Sequence, residues 1–176
     1  MKTFIIAALT ADGFIAKSSN HPATWTSPVD KKFFIEKTKQ AGVIIMGSKT
    51  YATIGKPLPG RLNVVYAHST NRSEYPEEVM ATDLPPAELL ASLAGKGYQE
   101  VAIGGGTSIY TMFMRAGLVD TLYLTIEPKL FGQGLNLFSE VMEQDLELRE
   151  IKKLDDQVVL LEYALGHSMS KSKLPN

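Results

Sequence analysis

The sequence predicts an α/β fold. It reads as a single domain on a mixed, mostly parallel sheet, with helices on both faces and an antiparallel C-terminal edge. Three observations predict this. Short, continuous apolar runs such as Val43-Ile44-Ile45-Met46 alternate with helical segments through most of the chain, the pattern of parallel strands joined by crossovers. The last two strand-like segments, 146–153 and 158–165, are separated only by a turn at Asp155-Asp156, which makes them an antiparallel pair. The chain has 176 residues, enough for one domain with a sizeable core or at most a tight pair.

Each element has a local reason. Residues 4–9 form a buried strand. Residues 10–25 are polar and rich in Gly, Ser and Asn; they read as one long loop, and such loops in compact domains are functional or mobile. Ser27-Pro28-Val29-Asp30 opens a helix: Ser27 can cap, Pro28 suits the first helical position, and Asp30 sits where a capping box places an acid. This helix runs to about Gln40, with Gly42 as its stop. Strands follow at 43–46, 63–66 and 78–81. A helix at 85–93 starts on two prolines and ends at Gly95 and Gly97. A strand at 100–103 leads into Gly104-Gly105-Gly106, then a helix at 107–116 stops at Gly117, and a strand covers 121–127.

The bulk composition excludes several function classes. Hydrophobic content of 44% and charged content of 21% are ordinary for a globular protein. A formal net charge of -1 gives no basic footprint for nucleic acid. The absence of cysteine excludes disulfides, thiolate metal sites and a cysteine nucleophile, and fits a cytoplasmic protein. The apolar run at 4–9 is too short for a membrane span and lacks a cleavage site. His21, His68 and His167 are scattered singly, so no metal site is expected. His21 reads as loop surface, and His68 sits just past a strand end, where α/β sheets bind ligands. Residues 168–176 read as a disordered polar tail, which leaves 1–167 as the domain.

Four groups of residues could carry chemistry. Between Met46 and Arg61 come a glycine turn, a helical turn, the rigid Pro57-Leu58-Pro59 and the flexible Gly60. An arginine ending such a loop suits a carboxylate, which its planar fork can grip with two hydrogen bonds. Asp30 and Phe34 share a helical face beside Trp25. Asp30 could grip an amidine-like heterocycle that Phe34 covers, or could simply be a capping acid. Gly104-Gly105-Gly106 could admit a phosphate to the N–H groups of residues 107–110, or could form a tight turn. Gly47-Ser48-Lys49-Thr50 could hold nucleotide phosphates, or be a cap by Ser48 or Thr50; it lacks the upstream glycine of a P-loop. Thr125 shares its strand face with Tyr123 and Glu127.

Taken together these residues resemble the dihydrofolate reductase family, in the same order, from Phe4 to about Phe138. The matching motifs are Ile5-Ile6-Ala7-Ala8-Leu9-Thr10-Ala11-Asp12-Gly13-Phe14-Ile15, Trp25-Thr26-Ser27-Pro28-Val29-Asp30, and Met46-Gly47 through Thr50. Ile54-Gly55-Lys56-Pro57-Leu58-Pro59-Gly60-Arg61, Gly105-Gly106-Thr107-Ser108-Ile109-Tyr110 and Leu122-Tyr123-Leu124-Thr125 complete the set.

The resemblance implies NADPH-dependent reduction of 7,8-dihydrofolate to tetrahydrofolate, an antifolate target. Asp30 would bind the pterin and assist its protonation, with Trp25 and Thr125 in the catalytic set and Thr125 hydrogen-bonded to Asp30. Ile6 and Ala7 would line the pterin pocket, Phe34 would contact the benzoyl part, and Ile54 would also touch substrate. Arg61 would hold the glutamate α-carboxylate. Ala8, Ile15, Gly47, Ser48, Lys49, Thr50, Gly104, Gly105, Gly106, Thr107, Ser108, Ile109 and Tyr110 would surround NADPH, with Lys49 and His68 at its 2′-phosphate. Dihydrofolate is the expected partner of a monomer or weak homodimer; nucleic acid and membrane are not. Ala16 stands where the family has glycine, and Ser48 replaces the arginine of the cofactor turn. Gly132-Gln133-Gly134-Leu135-Asn136-Leu137-Phe138, with Gly117-Leu118-Val119-Asp120, is more similar to the related reductase domain of riboflavin biosynthesis. A pyrimidine reductase of that type and a non-catalytic pterin- or nucleotide-binding module therefore stay open as alternatives.

Overall fold

The computed structural model describes residues 1–67 and 75–166. The expectations for His68 and for the tail from His167 onward lie outside the described residues. The strands are β1 (Lys2–Thr10), β2 (Phe14–Ala16), β3 (Val43–Gly47), β4 (Leu62–Tyr66), β5 (Val79–Thr82), β6 (Glu100–Ile103), β7 (Thr121–Glu127), β8 (Leu135–Asn136), β9 (Leu146–Lys153) and β10 (Val159–Leu165). The α-helices are α1 (Pro28–Ala41), α2 (Ser48–Ile54), α3 (Pro86–Gly95) and α4 (Thr107–Arg115).

Eight strands form one sheet in the order β5-β4-β3-β6-β1-β7-β10-β9. From β5 to β7 every pairing is parallel, and β10 runs antiparallel to both β7 and β9. The mixed sheet with an antiparallel C-terminal edge is thus as expected.

The period-two alternation of strand side chains sorts the core into two layers. Ile5 and Ala7 of β1, with Val43 and Ile45 of β3, join Leu89, Leu90 and Leu93 of α3 and Ile109, Tyr110 and Phe113 of α4. Phe4, Ile6, Ile44 and Met46 face the other way, toward Ala41, Phe33 and Phe34 of α1. Both sheet faces are therefore buried, which is why these strands read as continuous apolar runs.

The region 10–25 is not one loop. Phe14–Ala16 pairs antiparallel with Leu135–Asn136, and Ala23–Trp25 forms a 3-10 turn. Strands of three and two residues are too short to show a period, and their pairing partner lies more than a hundred residues away. The base of the segment is fixed by Asp12. Its carboxylate accepts the Thr10 hydroxyl at 2.5 Å and the backbone N–H groups of Phe131 and Gly132 at 3.1 and 2.7 Å. Among the described residues, no helix is long and apolar enough to cross a membrane.

Candidate active site

The carboxyl ends of β1, β3, β4 and β6 open into one cleft of about 1270 Å³, the place where open α/β sheets bind ligands. Ile6, Ala7 and Ala8 form part of its floor, with Ile15 and Trp25 from the 10–25 segment. Asp30 and Phe34 come from α1, Ile54 from α2, Gly47 to Thr50 from the β3–α2 turn, and Gly104 to Tyr110 from the β6–α4 turn. The sequence motifs thus converge on one cavity.

Asp30 is buried, with 8% exposure. Burial raises its pKa above the ordinary carboxylate range. The hydroxyls of Thr26 and Thr125 and the Lys31 ammonium act in the opposite direction, while the Glu127 carboxylate adds to the rise. Thr125 Oγ1 is buried beside this carboxyl but outside hydrogen-bond geometry, and has no partner among the described residues. Thr125 is thus the expected neighbour of Asp30, near enough for its hydroxyl to lower the Asp30 pKa, and it does not line the cleft.

The helix start settles how Asp30 is used. Ser27 caps α1 by accepting the Asp30 N–H through its hydroxyl at 3.2 Å. In a full capping box the Asp30 carboxylate would accept the Ser27 N–H in return. That N–H instead goes to Glu127 Oε1 at 2.8 Å. Asp30 is thus released from the capping role.

Arg61 does not line the cleft. It is 9% exposed, its pKa lowered by burial. Its Nε and Nη2 donate to the Pro59 carbonyl at 3.2 and 3.1 Å, and Nη1 donates to Thr38 Oγ1. A guanidinium has five N–H donors, so two remain without an acceptor among the described residues. Its neighbour Leu58 does line the cleft, and Thr38 donates to the Phe34 carbonyl at 2.6 Å. The group therefore sits behind one end of the cavity.

The glycines of the β6–α4 turn have packing as well as binding reasons. A Cβ on Gly104 would lie 2.7 Å from Ile44 Cδ1, and one on Gly106 would lie 3.2 Å from Thr50 Oγ1. Gly105 has φ +102, and a Cβ there would lie 2.9 Å from the Tyr110 hydroxyl. The Gly105–Gly106 peptide is cis. Helix α4 starts on Gly106 with no side-chain cap. The N–H groups of Ile109 and Tyr110 are already bonded to the Gly106 carbonyl at 2.9 and 3.0 Å. Of the four expected anion donors, Thr107 and Ser108 alone are left. Helix α2 likewise starts on Gly47 with no side-chain cap, so Ser48 and Thr50 are not caps.

Several cleft residues were not expected. His21 is not loop surface: it lines the cavity, stacks edge-on with Phe131 at 5.4 Å and accepts the Lys17 N–H through Nδ1. Ser18, Ser19, Asp83, Leu84 and Asn136 also line it. Nothing in their local sequence marks them, because tertiary pairings far along the chain bring them in.

The constellation is a cleft at the carboxyl ends of a parallel sheet with one buried acid in its wall, and the comparisons give its family. The dihydrofolate reductase family model matches residues 2–162. The chain belongs to the dihydrofolate reductase family, whose members are oxidoreductases. The Haemophilus influenzae dihydrofolate reductase is 29% identical over 154 residues, covering 87% of this chain and 89% of that protein. An Escherichia coli dihydrofolate reductase type 9 is 34% identical over 124 residues, covering 69% and 67%. Among solved structures, the Enterococcus faecalis dihydrofolate reductase complexed with NADP(H) is 26% identical with TM-score 0.73, covering 94% and 96%. The Acinetobacter baumannii RibD structure superposes with TM-score 0.78 at 18% identity, over 93% of this chain but 58% of that one, and shows the shared fold alone.

Proposed function

We propose that this protein reduces 7,8-dihydrofolate to 5,6,7,8-tetrahydrofolate with NADPH. The observation that carries the reading is Asp30: a buried carboxyl at the cleft, freed from helix capping, with a raised pKa. It is the group a pterin needs, since a carboxylate can hold the ring's amidine edge with two hydrogen bonds. Ile6, Ala7 and Phe34 supply apolar walls for that flat ring.

The cleft also fits a dinucleotide. The uncapped start of α4 leaves the Thr107 and Ser108 N–H groups unpaired within the helix, beside glycines that let a backbone approach. Thr107, Ser108, Gly105, Gly106, Ser48, Lys49 and Thr50 would hold its phosphates, and Ala8 and Ile15 would adjoin its nicotinamide. Bound NADPH supplies a hydride to pterin C6. The chain's part is to align the two rings, exclude water, and let Asp30 support proton delivery to N5.

The test is the loss of NADPH absorbance on adding dihydrofolate, with and without an antifolate. Dihydrofolate-dependent, antifolate-blocked oxidation supports the reading. A second reading, a reductase for a ribosylaminopyrimidine, is favoured by the 132–138 segment, of which Gly134, Leu135 and Phe138 line the cleft. Turnover of such a pyrimidine but not of dihydrofolate would select it; NADPH binding with no turnover would select a binding module.

A further inference from the structure

We propose that Glu127 is a positioning residue for Asp30, taking over the acid's half of the α1 capping box so that the Asp30 carboxyl faces substrate. This rests on the dihydrofolate reading of the site. Glu127 is the last residue of β7 and is 1% exposed. A carboxylate is costly to bury without a partner, and this one accepts the Ser27 N–H at 2.8 Å, at the positive end of the α1 dipole.

The strand period aligns the arrangement. Thr125 and Glu127 share one face of β7, and Lys129 lies just past the strand end, where its N–H closes a turn onto the Glu127 carbonyl at 2.8 Å. Thr125 adjoins Asp30, Glu127 binds Ser27, and Lys129 donates to the Trp25 carbonyl. Glu127 and Lys129 therefore hold the approach to α1, with Thr125 beside its first turn. Without Glu127, the Ser27 N–H loses its acceptor, and the nearest acid with capping-box spacing is Asp30 itself. Its carboxyl would then turn toward the backbone and away from the cleft.

Charge adds a second effect. The charged and titratable groups around the Asp30 carboxyl are Glu127 on β7, Lys31 on its own helix and Tyr110 on α4. Glu127 opposes ionisation of Asp30, and Lys31 favours it. The two roles separate by substitution. Glu127→Gln keeps an oxygen for the Ser27 N–H and removes the charge; Glu127→Ala removes both.

The experiment follows the Asp30 carboxyl by 13C NMR in the free protein, alongside steady-state kinetics against pH. In Glu127→Gln the Asp30 titration and the alkaline fall of kcat both move to lower pH, with the maximal rate close to wild type. In Glu127→Ala the titration moves further down, and kcat falls on the order of tenfold or more from misplacement of the acid. A kcat and an Asp30 titration in Glu127→Ala that coincide with those of Glu127→Gln overturn the proposal, and where Glu127→Ala does not fold, wild-type kcat in Glu127→Asp, which keeps the charge but shortens the reach to the Ser27 N–H, does the same. Wild-type protein that leaves dihydrofolate unreduced defeats the functional reading instead, and the NMR titration still decides the role of Glu127.

Discussion

Arg61 and Thr38 are joined by a hydrogen bond from the guanidinium Nη1 to the threonine hydroxyl, which in turn donates to the Phe34 carbonyl at 2.6 Å. The other side of the guanidinium is held by the Pro59 carbonyl. The arginine is thus fixed between the α1 helix and the proline loop before any ligand arrives, and under the proposed dihydrofolate reading its two remaining N–H donors, just behind the cleft end at Leu58, would meet the substrate's carboxylate at a low ordering cost.

Arg61→Leu should therefore raise KM for dihydrofolate by about 10- to 100-fold, the equivalent of about 1.5–3 kcal/mol for a charged hydrogen bond, with little change in kcat. Thr38→Val should raise it less, by loosening the fork rather than deleting it. Steady-state kinetics with each substrate varied in turn checks both. A rise in KM for NADPH alone would move Arg61 to the cofactor side.

Asp30 ties activity and stability to pH in the same direction. Its carboxyl titrates above the usual range because burial opposes its charge. In the pH window between the unfolded and folded pKa values the native state binds more protons than the unfolded state, so stability falls as pH rises there. Below the unfolded pKa that contribution is complete; above the folded pKa it is gone. Turnover should fall with rising pH through the same folded pKa, as the proton is lost. Asp30→Asn should lower kcat by about 10²- to 10⁴-fold, yet melt higher than wild type at neutral pH. The gap in Tm should close in acid. A variant with near-normal turnover at neutral pH would remove Asp30 from the chemistry.

The sequence carried the sheet and most of the site for physical reasons that differ between them. Strands such as Val43–Gly47 are buried on both faces and so announce themselves as apolar runs. Ser27, Pro28 and Gly42 mark the ends of α1 because caps are local chemistry. What stayed hidden depends on partners distant in sequence. Asp30 looked like a capping acid until Glu127, nearly a hundred residues on, was seen to take the Ser27 N–H. His21 looked like surface because Phe131, against which it stacks, is not its neighbour in the chain. Residues 107–110 all looked like anion donors, but the Gly106 carbonyl takes the N–H groups of Ile109 and Tyr110.

Gly105 combines a left-handed backbone with contact to Tyr110, whose hydroxyl donates to the Ile6 carbonyl at 2.9 Å on the cleft floor. Gly105→Ala strains the backbone and presses on a ring that is 4% exposed. It should cost about 1–3 kcal/mol of stability and weaken NADPH binding more than dihydrofolate binding. Denaturant unfolding with fluorescence titrations of both ligands checks this. Equal weakening of the two would mean that the Tyr110–Ile6 contact, rather than the glycine cradle, carries the effect.

Asp12 governs the other wall. Its pKa is lowered, chiefly by the Thr10 hydroxyl; desolvation opposes this, and the N–H groups of Gly132 and Phe131 lower it further. A depressed folded pKa means that its contribution is present above the unfolded pKa and is lost as pH falls through the folded one. The bonds it makes fasten the start of the 10–25 segment to Phe131, and Phe131 packs edge-on against Trp25 at 5.0 Å. Trp25 is the single tryptophan of the chain, so its emission reports this contact directly. Asp12→Ala should shift that emission to the red, speed amide exchange at Phe131 and Gly132, and raise KM for NADPH, because Ile15 and Trp25 would no longer be held over the cleft. Wild-type protein should approach the same emission as pH falls through the Asp12 titration, while Asp12→Ala should not respond. Emission and exchange that match wild type in the variant would show that the segment is held instead by the β2–β8 pairing.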